Sequence, residues 1–148
     1  MTNLLFPAAG AGVSAGAILL FFSYIAPYLG AGNFIRDLER PRVFGKPVSR
    51  REAYLLGVFS HLFISALAGI GYGVLVVLGL VSGFHLLPLL GWSLVLTLVS
   101  GGILLPLEGH GLFGTKEDAW FPVDLVLSNV LWAVLFWWLI RVWFTVAP

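Results

Sequence analysis

The chain has no cysteine and very little charge. Without thiols there is no disulfide framework, thiolate metal site or redox pair to consider. Charged residues make up 10% of the sequence, against about 25% in a soluble domain, which excludes an ordinary water-facing surface. Phosphate-binding glycine loops, dinucleotide fingerprints, zincin helices and nucleophile elbows are also missing. Their absence leaves no recognisable catalytic set. No acylation or prenylation motif is present. The segment from Met1 to Gly12 lacks the basic region of a cleavable signal sequence, so the first apolar stretch is expected to be retained.

What is present is apolar: 59% hydrophobic residues, with 12 Phe and 6 Trp among 148. That length is expected to form a single domain, 1–148. Four runs, at about 10–29, 53–80, 87–107 and 122–145, are long enough to cross a hydrocarbon core of roughly 30 Å at 1.5 Å per helical residue. Short connections between them imply antiparallel neighbours. The expected fold is therefore an all-α integral membrane protein, an antiparallel four-transmembrane-helix bundle.

Local patterning supports each helix. In the first span Gly12, Gly16, Ser23 and Pro27 share a narrow small-residue face, leaving Leu19, Leu20 and Phe21 for lipid or neighbours. Most of the charge follows in a basic loop, 30–52, where Asn33 to Pro41 suits a short turn on the membrane surface. Ser49-Arg-Arg-Glu52 has capping-box spacing and predicts the start of the second helix. Within it Gly57, His61, Ser65, Gly69 and Gly73 recur every four residues as a ridge for close packing. Val81 to His85 form a short uncharged turn before the third span. There Ser93, Thr97, Ser100, Leu104 and Glu108 share a face, and Pro106 is expected to bend or end the helix. Thr115 to Asp118 suit a polar turn, and Pro122 opens the fourth span. Trp137, Trp138 and Trp143 around Arg141 read as an aromatic belt with a snorkelling cation.

Seven of the eight Lys and Arg fall in the loops joining spans 1–2 and 3–4, Arg141 being the other. The positive-inside bias then puts both loops in the cytoplasm and both termini outside. The basic loop suits anionic lipid, or a docking partner. Ionisable residues within a span are expensive and need a reason. On this topology His61, Glu108, His110, Asp124 and Asn129 all belong to the cytoplasmic half. They are the candidate ligand or proton site.

Several readings of that group stay open. His61 and Glu108 would form a structural hydrogen bond between spans 2 and 3. His61, Glu108 and His110 would suit a zinc or iron ion by ligand type. Haem ligation through His61 and proton or ion passage are further alternatives, the latter needing a polar route through both halves. Asp124 alone suits the positive end of a helix dipole. His85 is a surface residue and His110 a loop residue on the simplest reading. No cofactor is specified by these residues.

The run His61 to Gly73, followed by Pro106-Leu-Glu-Gly-His-Gly-Leu-Phe-Gly114, resembles a group of small four-span prokaryotic membrane proteins of unknown function related to YagU-like inner-membrane proteins. The resemblance covers about Gly57 to Trp132 and departs at Ser128-Asn129, where such proteins often carry a histidine. It implies an integral four-helix fold in a prokaryotic cytoplasmic (inner) membrane and no established activity.

The functional expectation is a non-enzymatic membrane protein acting by helix packing, as a homo-oligomer or accessory subunit, through the face of Gly12, Gly16, Gly57, Ser65, Gly69 and Gly73. The competing expectation is small-ligand, metal or proton binding or transport at the His/Glu group. A membrane enzyme acting there on a lipid-like substrate is a third. The bilayer is the expected partner, and nucleic acid is not.

Overall fold

A computed structural model of the chain describes residues 4–25, 42–43, 46–47, 49–116 and 119–146. Most of the basic loop lies outside these residues, including the expected surface turn from Asn33 to Pro41. So do Pro27 in the first span and Glu117 and Asp118 in the polar turn.

Among the described residues four helices are long and apolar enough to cross a membrane, over Leu5–Ser23, Tyr54–Val77, Leu86–Leu107 and Phe121–Val142. Helix α1 (Leu5–Ile25) starts ahead of the expected Gly10. Pro7 is compatible with this, because it sits in the first turn, where its missing amide breaks no helical bond. Helix α2 (Arg50–Val77) begins on the expected capping box. Ser49 Oγ accepts from the Glu52 amide at 3.2 Å, and Glu52 Oε2 accepts from the Ser49 amide at 2.9 Å. It ends before the expected Leu80, because Gly79 turns left-handed at φ 72° and Leu80 donates back to the Leu75 carbonyl.

The third span is three pieces in series. Helix α3 (Leu86–Val99) runs into a π-turn (Ser100–Leu104), in which the Leu105 amide reaches the Ser100 carbonyl, and then into α4 (Leu105–Glu108). The π-turn immediately precedes Pro106. A proline ring inside a regular helix collides with the carbonyl four residues back, and a widened turn is one way to relieve it. Gly109, at φ 94°, then closes α4 with the His110 amide on the Leu105 carbonyl at 2.9 Å and its own amide on Pro106. A 3-10 turn (Leu112–Gly114) follows and folds the Phe113 ring back over Gly101. Helix α5 (Phe121–Val146) completes the chain. Between α1 and α2 a minimal antiparallel pair, β1 (Arg42–Val43) with β2 (Lys46–Pro47), stands where no strand was expected.

Packing does not follow chain order. Helix α1 lies against both α2 and α5, and α3 lies against α5, whereas α2 and α3 meet only sparsely. The α1–α2 approach is close enough to exclude side chains. A Cβ on Gly12 would strike the Ser65 carbonyl oxygen, and one on Gly69 the Ala8 carbonyl oxygen. Ala8, Ala11 and Ala15 are fully buried along the same face of α1. Gly57 does not belong to it, with no atom of the described residues within 4 Å of where its Cβ would stand. Each i,i+4 step advances about 40° around the helix, so a row from Gly57 to Gly73 turns through about 160° and cannot all face one neighbour.

The core is aromatic and lies toward the α2–α3 turn. Tyr72, Leu89, Phe136 and Ile140 are fully buried. Tyr72 packs on Phe84 and Phe136 at 5.6 and 6.3 Å between ring centroids, and its hydroxyl donates to the Gly83 carbonyl at 3.0 Å. Trp92 Nε1 donates to the Ala68 carbonyl at 3.2 Å, tying α3 to α2. At the end of α5, Arg141 lies 4.3 Å above the Trp137 ring.

Candidate functional site

Past the Trp92–Ala68 tie, α2, α5 and the third span bound a cavity of about 190 Å³. Its walls follow from helical spacing. Helix α2 contributes His61, Ile64, Ser65 and Ala68, and α5 contributes Leu125, Ser128, Asn129 and Trp132. Both sets are i, i+3, i+4, i+7, one helical face each. Leu96 and Ser100 of the third span and Leu19 of α1 complete it. Among the described residues no Asp, Glu, Lys or Arg lines the space, and His61 is the one titratable side chain that does.

The polar groups around the cavity are unequally satisfied. Asn129 Nδ2 donates to Thr97 Oγ1 at 3.2 Å and to the Leu125 carbonyl at 2.9 Å. Thr97 Oγ1 in turn donates to the Ser93 carbonyl at 2.9 Å, and Ser93 Oγ to Leu90 at 2.7 Å. This chain of bonds pins α5 to α3. Ser128 Oγ is spent on the Leu125 carbonyl at 3.1 Å. By contrast His61 Nε2 and Trp132 Nε1, on α2 and α5, are buried without a hydrogen-bond partner among the described residues, as is Trp137 Nε1 further along α5. The imidazole lies against Gly16 of α1, where a Cβ would stand 3.5 Å from His61 Cδ2. An unsatisfied buried polar group costs about 1–3 kcal/mol.

The structure thus brings two of the expected site residues, His61 and Asn129, to one cavity. The others are placed differently. Asp124 is exposed in the first turn of α5, its amide donating to the Trp120 carbonyl at 3.2 Å. His110 is half-buried in the loop after α4, where its carbonyl accepts from the Lys116 amide at 3.2 Å, and it does not line the cavity. The backbone of Glu108 ends α4, while its side chain lies outside the described residues, and with it the expected His61–Glu108 pair and the His61, Glu108, His110 metal set. Among the described residues no group of three or more His, Asp or Glu stands ready to hold a metal ion. The exposed His85 precedes α3 without a side-chain cap.

Trp132 is the cavity residue that sequence reasoning missed. It is 4% exposed and stacks on Phe136 at 5.0 Å, 12° from parallel. Its signal was the spacing from Asn129 and Ser128, three and four residues earlier on the same face. Comparison with known families, characterised proteins and solved structures finds no match.

Proposed function

We propose that the chain is a multi-pass protein of the prokaryotic inner membrane, an antiparallel bundle with both termini outside, that binds a small molecule in the cavity bounded by α2, α5 and the third span. The observation that carries this reading is a cavity lined by polar side chains, His61, Ser65, Ser100, Ser128 and Asn129, among helices long and apolar enough to cross a membrane. Within a bilayer no bulk water is at hand to satisfy such groups, so a bound polar molecule is their natural partner. Among the described residues of the lining, Asn129 and the serines make the site polar and none carries a fixed charge. That favours a neutral ligand over an ion.

The alternative, action by helix packing as a homo-oligomer or accessory subunit, draws less support. Gly12, Gly16, Ser65, Gly69 and Gly73 face α1 or α2 of the same chain, so the ridges that suggested self-association are used internally.

Native mass spectrometry of the protein released from membranes tests the reading. Wild type is expected to carry a small-molecule adduct, which the cavity-filling variant Ser128→Phe loses. An adduct-free wild type, or one whose adduct persists in Ser128→Phe, would contradict it.

A further inference from the structure

The third span and α5 are two walls of the cavity, and the loop that joins them also packs on both. We propose that residues 109–114 form a releasable strap across the loop-side end of those walls, with the Phe113 ring on Gly101 as its clasp. When the clasp opens, water on that side reaches the cavity along the seam between the third span and α5. The purpose of such a gate rests on the cavity-binding reading above. Its existence does not.

Two ring contacts place the strap. Ser100 lines the cavity, and the next residue, Gly101, is buried beneath the Phe113 ring, so close that a Cβ on Gly101 would overlap it. On the opposite wall a Cβ on Gly114 would overlap the Phe121 ring of α5. Phe121 stands four residues before Leu125 and seven before Ser128, on the face of α5 that lines the cavity. The 3-10 turn is therefore held to the third span at one ring and to α5 at the other, about one helical turn beyond the cavity lining.

The strap is built to move as a piece. Its backbone is tied to itself, the Gly114 amide to the Gly111 carbonyl at 3.2 Å and the Lys116 amide to the His110 carbonyl at 3.2 Å. Ahead of it lie the π-turn, Pro106 and the four-residue α4, whose Pro106 and Leu107 are exposed. Helices bend at π-turns and at prolines. Gly109 and Gly111, at φ 94° and 79°, occupy left-handed backbone at little cost.

Phe113 is the exception. At φ 52° and ψ 25° it holds a left-handed conformation that a bulky residue keeps only when its surroundings enforce it. The seat on Gly101 is what enforces it here. A glycine at 113 would make the same turn without strain, as glycine does at 109, 111 and 114. The ring thus couples two events, since leaving Gly101 both relaxes the backbone and frees the strap from the third span.

Without native cysteines, single cysteines report access against no background. Ser128→Cys puts a thiol on the cavity wall, and Ser93→Cys puts one on the fully buried face of α3 as a control. The full chain in lipid nanodiscs is treated with a permanently charged methanethiosulfonate, which stays in water. Phe113→Gly, which removes the clasp and suits the left-handed backbone, is expected to raise the labelling rate of Ser128→Cys at least tenfold. Gly101→Ala, which pushes the ring off its seat, should do the same, with Ser93→Cys unlabelled throughout. An unchanged rate in Phe113→Gly, or an equal rise at Ser93→Cys, would overturn the strap. Faster labelling in a protein whose wild type carries no adduct by native mass spectrometry would support the strap and overturn the ligand reading alone. An adduct together with a rate indifferent to Phe113→Gly would overturn the strap alone.

Discussion

At the scale of single residues, the α1–α2 contact turns on positions where nothing larger than hydrogen fits. The obstacles at Gly12 and Gly69 are backbone carbonyls, which cannot swing aside as a side chain tip can. Gly69→Val is therefore expected to destabilise the protein by about 1–3 kcal/mol or more, whereas Gly57→Ala, with open space around it, should be neutral or stabilise by up to about 1 kcal/mol. Thermal unfolding in a mild detergent separates the two. The capping box offers a pH prediction. The hydrogen bonds from the Ser49 side chain and backbone hold the Glu52 carboxyl below its ordinary 4.5. Its contribution is thus fully present above that value and is lost as pH falls through the lower, folded one. Amide exchange in the first turn of α2 should accelerate below about pH 4 in wild type. Glu52→Gln, which cannot titrate, should flatten that profile, and an unchanged profile would count against the box as the cause. The box was legible from Ser49 and Glu52 alone because it is local. The fate of Gly57 was not, since a row of small residues does not say where the neighbouring helix leaves it.

At the scale of elements, four helices were readable because long apolar runs have few other folds available to them. The irregular end of the third span was only half readable. Pro106 announced a disturbance, but the π-turn before it and Phe113 at φ 52° depend on the Phe113 ring finding Gly101, a contact between residues twelve apart. The glycines around Glu108 and His110 first suggest a site whose geometry is loose. Gly109 has a different job, since it supplies the left-handed cap that stops α4. Gly109→Ala should cost about 1–2 kcal/mol through that conformation. Hydrogen exchange is expected to show the loss confined to residues 105–116, with protection of α1 and α2 unchanged. Loss spread evenly over all helices would contradict a local capping role.

For the whole molecule, the consequential fact is the packing order. Chain neighbours α2 and α3 are joined by a short turn, yet α1 packs against α2 and α5, and the space left among α2, α5 and the third span becomes the cavity. Sequence placed His61 and Asn129 in the same half of the bundle through topology, which is long-range but follows from loop length and charge. It could not pair helices, because membrane faces of similar composition are interchangeable until they pack. Trp132 was hidden for that reason, as tryptophan on an apolar helix is usually a lipid contact. Orientation rests on Arg and Lys alone, so a reporter fused to the C-terminus should be active only outside the cytoplasm. A cytoplasmic signal would invert the topology and place the cavity in the outer half.

The cavity and the polar side chains that line it carry the proposed function. A high-resolution experimental map of the protein in lipid tests it most directly. Density for a bound molecule is expected in the cavity, within about 3.2 Å of a polar side chain of its lining such as Asn129. A map in which the helices close over an empty space would contradict it.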